Sequence, residues 1–206
     1  MKLRYKLITT IASLCIMVTM LLFGVFAAVM PTLSVSGKVN FVSNSVFADI
    51  DIQNANSSAP TRAQLAFTSL YTTTFDQDDP EGTEYSQTIE MPKMDSTNVF
   101  SGYRIIITDK TLTNALSGVG IESITMPKLN TSYTNFATLT VYVNDVALTE
   151  ENVTQTLESA VANDAVKITI DVVLEISNLS NAPKKVDNLF DTSNADLTVT
   201  LKRVNL

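Results

Sequence analysis

The chain is expected to be all-β: an antiparallel β-sandwich, jelly-roll or immunoglobulin-like, with one short helix and an N-terminal hydrophobic signal or anchor helix. Three observations predict this. Beyond residue 31, apolar and polar residues alternate with period two in one stretch after another. Asn, Ser, Asp, Gly and Pro, the residues that favour turns, separate those stretches. A single stretch, Thr149–Ala162, switches to helical spacing.

The N-terminus follows a different rule. Met1–Lys6 carries Lys2, Arg4 and Lys6, Leu7–Phe23 is almost wholly apolar, and Gly24-Val25-Phe26-Ala27-Ala28 follows. A basic start, an apolar middle and a small-residue exit form the pattern of a secretory signal peptide. Val25 and Ala27 occupy the −3 and −1 positions of a cleavage site, with Ala28 the first mature residue. An uncleaved anchor is the other reading, since residues 7–30 would span roughly 36 Å as a helix, enough to cross a bilayer. Both readings place the body of the chain outside the cytoplasm, either secreted or on the extracellular face of the membrane. The expected organisation is therefore a signal peptide or membrane anchor over 1–27 and one β-sandwich domain over 28–206, with an insertion at about 54–99.

Within the body the elements follow from the pattern. Thr32–Phe41 puts Leu33, Val35, Val39 and Phe41 on one face and Ser34, Ser36, Lys38 and Asn40 on the other, with Gly37 at a bulge. After Ser43-Asn44-Ser45, Val46–Ile52 alternates again, and the two stretches read as a hairpin. Gln64–Phe75 is a Thr-rich strand, Asp76–Glu84 an acidic loop and Tyr85–Val99 irregular. Strands are expected at Tyr103–Thr108, Val119–Met126 and Ala137–Asn144. Thr149 then caps a short helix, in which Glu150 and Glu151 sit at the positive end. Val166–Ser177 alternates most clearly of all, and Leu197–Leu201 gives the last strand.

Composition narrows the chemistry. The chain has 14 basic and 21 acidic residues, no His, and a single Cys, Cys15, inside the apolar run. Ser-His-Asp and Cys-His arrangements therefore have no members, and imidazole or thiolate zinc sites have no ligands. An acidic surface repels phosphate backbones, so no nucleic acid partner is expected. Paired carboxylates remain for a glycoside hydrolase, but the absence of Trp removes the usual sugar platform. The expectation is of no enzyme and no cofactor. One acidic cluster, with Asp76, Asp78, Asp79 and Glu81 as ligands, offers hard oxygens at close spacing for calcium; a solvated turn is the plainer and preferred reading. Met91, Met94 and Met126 with Phe100 read either as core or as an adaptable contact patch.

The signal ending Gly24-Val25-Phe26-Ala27-Ala28, followed by Leu33-Ser-Val-Ser-Gly-Lys-Val-Asn-Phe41 and Val46–Ile52, resembles exported proteins of Gram-positive bacteria related to TasA and camelysin. The resemblance implies processing by a dedicated signal peptidase, a jelly-roll-like sandwich and a role in biofilm matrix fibres. It further implies an assembly strand: Ala28–Ser36 leaves its own sandwich and adds to a neighbour, with Leu33 and Val35 filling grooves. Phe26 stands where the family often has Trp, and residues 54–99 have no family counterpart. Expected partners are further copies or other surface and matrix proteins, with the membrane reached only through residues 7–30 if uncleaved. The competing expectation is a membrane-anchored extracellular binding module, an adhesin or glycan binder.

Overall fold

The computed structural model describes residues 33–44, 46–75, 84–110, 117–163, 165–177 and 189–205. The strands are β1 (Ser36–Asn44), β2 (Ala48–Ala55), β3 (Phe67–Phe75), β4 (Glu84–Glu90), β5 (Phe100–Asp109) and β6 (Ser117–Thr125). They continue as β7 (Ala137–Val143), β8 (Val146–Ala147), β9 (Val161–Ala162), β10 (Ile168–Ile176) and β11 (Asp196–Asn205). One α-helix, α1 (Val153–Ser159), precedes β9. The strands form a five-stranded sheet, β4-β1-β11-β6-β9, and a six-stranded sheet, β3-β2-β5-β10-β7-β8.

The alternation does what it promised. Val39 and Phe41 of β1, Ile50 and Ile52 of β2, Ile105 and Ile107 of β5, and Leu197, Val199 and Leu201 of β11 are all fully buried. They belong to a single cluster drawn from both sheets, so the architecture is sandwich-like. Each such side chain contributes roughly 1.5–3 kcal/mol on leaving water.

Several expectations are corrected. β1 and β2 do not form a hairpin; they lie in different sheets, joined by an arch in which the Val46 N–H donates to Ser43 Oγ at 3.4 Å. A hairpin would set both apolar rows side by side. The arch sets them face to face, which buries more. Pairing is mostly antiparallel, but β1 and β11 run parallel, with Lys38 opposite Asp196 and Ser43 opposite Leu201. Gly37 is not a bulge: it pairs in register with Ile89, and a Cβ there would lie 2.7 Å from Tyr103 Cε1. Its hydrogen leaves room for the buried Tyr103 ring.

The stretch expected as an insertion supplies an outer strand to each sheet, β3 beside β2 and β4 beside β1. β4 lies where irregular chain was expected. The helix is shorter than its spacing suggested, because Val161 and Ala162 leave it to pair with Gly120 and Val119 as β9. Asn152 rather than Thr149 is its cap residue; the two hold each other, Asn152 N–H on Thr149 Oγ1 and Thr149 N–H on Asn152 Oδ1. Between β7 and β8, Asn144 and Asp145 take positive φ of 47° and 66°, a conformation these two residue types tolerate in two-residue hairpin turns.

Candidate functional site

Leu33 and Val35 head the chain into β1, and both are buried, at 5% and 8% exposure. Their backbone is held from one side. Leu33 N–H donates to Met94 O and Met94 N–H to Leu33 O, each at 3.0 Å, and Met91 N–H donates to Val35 O at 2.9 Å. On the opposite side the parallel ladder to β11 begins only at Lys38. A cavity of about 330 Å³ lies beside the arm there, lined by Ser34, Val35, Ser36, Leu189, Phe190, Thr192 and Ala195.

The docking partner of the arm is itself braced. Asp95 Oδ1 accepts the backbone N–H of Thr97 and Asn98 and the Thr97 hydroxyl, at 2.7–2.9 Å. The Thr97 hydroxyl and these amide donors hold the Asp95 carboxyl at about 2, below its ordinary value. A depressed carboxylate pKa contributes stability above its unfolded value of about 4 and loses it as pH falls towards the folded one. The protection of the Leu33 and Met94 amides, relative to their intrinsic exchange rates, is therefore expected to fall between about pH 4 and pH 2. Unchanged protection across that interval would separate the brace from the arm.

A second arrangement sits on the outer face of the six-stranded sheet, where sequence reasoning placed only solvent-facing residues. Asp171 of β10 has a side chain only 4% exposed, and Arg104 of β5 forks onto it, Nε to Oδ1 at 2.7 Å and Nη2 to Oδ2 at 2.8 Å. Arg62, from the segment between β2 and β3, reaches the same carboxylate at 3.3 Å and Asp145 at 2.9 Å. Each guanidinium also stacks on a ring, Arg62 on Tyr142 at 3.7 Å and Arg104 on Phe67 at 4.4 Å. The Asp171 hydrogen bonds raise the pKa of Arg104. Ala55, Ala59, Leu65 and Val173 form a small buried cluster alongside. Two cations meet two carboxylates here, so the group balances its own charge. Its chemistry is that of a clasp fastening the Ala55–Phe67 segment over the sheet. The cross-strand register pairs Arg104 with Asp171 directly, and its signs in the sequence are one Arg and one Asp at the centres of two apolar strands and Val173 on the same outward row.

The remaining expected site residues fall elsewhere. Val25, Ala27 and Ala28 of the cleavage site, and the proposed calcium ligands Asp76, Asp78, Asp79 and Glu81, lie outside the described residues. Among the described residues no group of three or more metal-ligating acids forms, and no helix is long and apolar enough to cross a membrane. Met91 and Met94 are buried in the main cluster while Phe100 packs against the outer one, so they do not make a shared contact patch. No family model, no curated protein and no solved structure matches the chain.

Proposed function

We propose that this chain is an exported structural protein of the bacterial cell surface, a matrix-fibre subunit assembling by N-terminal strand addition. The observation that carries the reading is the attachment of the arm: among the described residues, Leu33 and Val35 are buried knobs on a backbone paired only towards Met91–Met94. A segment that fills apolar holes but holds few ladder bonds exchanges with the same segment of a neighbour at little cost, because the incoming arm restores the same packing and the same hydrogen bonds. The basic and apolar residues 2–23 support export. We read the sandwich as a jelly roll, since among the described strands only β2–β3 and β7–β8 are both consecutive and paired, and every other consecutive pair lies in different sheets.

Electron microscopy of the secreted protein tests this together with N-terminal sequencing. Fibres formed by chains beginning at Ala28 are expected. Leu33→Asp with Val35→Asp is expected to abolish them and, since both side chains belong to the main buried cluster, to lower the melting temperature as well; circular dichroism checks that the sheets still form. Strictly monomeric wild-type particles across pH and salt would overturn the fibre reading, and a chain retained in the membrane with Met1 intact would favour the anchored binding module.

A further inference from the structure

Among the described residues the outer strands are β4 and β9 of one sheet and β3 and β8 of the other. Proteins blunt such edges with shortness, charge or proline, because an open row of N–H and C=O groups invites another strand. β8 and β9 are two residues each. β4 has Glu84 and Glu90 at its ends. β3 has none of these protections: it is nine residues, Phe-Thr-Ser-Leu-Tyr-Thr-Thr-Thr-Phe, without charge or proline. Leu70 and Tyr71 on it are 48% and 39% exposed. The acids behind it are already engaged, Asp49 by the Thr74 hydroxyl and Lys110, Asp51 by the Ser69 hydroxyl and Gln53.

We infer that β3 pairs antiparallel with β3 of a second copy of this chain, joining two six-stranded sheets across a two-fold axis at Thr72. The pairs are then Thr72 with Thr72, Tyr71 with Thr73 and Leu70 with Thr74, all uncharged and mostly β-branched or aromatic. The same operation on β4 would set Glu84 against Glu90, a like-charge pair that β3 avoids. The register shift at Ile52/Gln53 leaves Leu70 unpaired with β2. Charge argues for the occupant: two chains of net charge −7 repel, so they meet best along a segment that contributes none of that charge. This contact is independent of the N-terminal arm and closes on itself, whereas arm exchange propagates. Together they would join fibres side by side.

Cysteine cross-linking tests it in the full chain, carrying Cys15→Ser and kept soluble in detergent. Thr72→Cys is expected to give a disulfide-linked dimer under mild oxidation, at least tenfold more than Ser86→Cys on β4. Thr72→Lys, in a chain without added cysteine, is expected to weaken self-association at least tenfold by sedimentation, and added salt to strengthen the wild type. Equal dimer yields from the two cysteine positions would overturn the inference. So would a residue 72 thiol closed to maleimide in the monomer, which would show the edge covered by the chain itself. Repeating the cross-link in the Leu33→Asp, Val35→Asp chain, once circular dichroism has shown its sheets intact, separates the two contacts, because β3 is unchanged there.

Discussion

Gly102→Val is expected to destabilise the fold severely. Gly102 sits in β5 directly beside β10, and a Cβ placed on it would run into the backbone oxygen of Val172. That oxygen is part of the sheet and has no rotamer to escape into. Relief requires β5 and β10 to separate, and this pair joins the two best-buried strands of the six-stranded sheet. A cost of about 4 kcal/mol or more follows, at the severe end of single substitutions. In a chain of this size it would lower the melting temperature by roughly 10 °C. Gly120→Ala is the informative comparison. Its Cβ would lie 2.6 Å from Val204 Cγ2, a side-chain atom near the end of β11, and the next neighbour is 3.7 Å away. Val204 can turn aside, so a cost below about 1 kcal/mol is expected. Thermal melts of both variants check the contrast, and equal losses would show that the clash with Val172 is not what decides.

Asp171→Ala is the second large effect. It leaves Arg104 without its carboxylate beside Arg62, which keeps only Asp145. Deleting one member of a buried ion pair costs about 3–5 kcal/mol. Both arginines are about a third exposed, so water recovers part of their solvation and the lower end, about 3 kcal/mol, is expected here. Asp171→Asn keeps an acceptor oxygen and the shape, and is expected to lose about half as much. Adding Arg104→Met to Asp171→Ala should recover stability relative to Asp171→Ala alone, because the stranded cation is gone. Urea melts of the four proteins measure this. Should Asp171→Ala melt like wild type, the clasp does not hold the Ala55–Phe67 segment down.

Most strands were legible because each inner row is apolar and each is bounded by turn residues; β10, with Ile168, Ile170, Val172, Leu174 and Ile176 inward, is the plainest case. β4 was not legible for the converse reason. As an outer strand it covers little core, and Ile89 is its only buried residue. The arch between β1 and β2 escaped because period-two patterns are identical in a hairpin and in two facing strands; the partner across the core decides, and that partner is distant in sequence. The clasp was hidden likewise. Arg104 and Asp171 are 67 positions apart, and each looks like an ordinary solvent-facing charge until the Ala55–Phe67 segment folds over them. Val173, apolar on the same outward row, was the sign that this face is covered.

The parallel pairing of β1 with β11 carries a consequence for biogenesis. β11 is the middle strand of its sheet and is synthesised after all four of the others, and Asn40 meets Asp196 across 156 positions. Until those residues emerge from the ribosome, the sheet holds an empty slot between β1 and β6. Closing so long a loop is slow, and a nascent chain spends that interval open at its centre, where any extended strand of suitable pattern can enter.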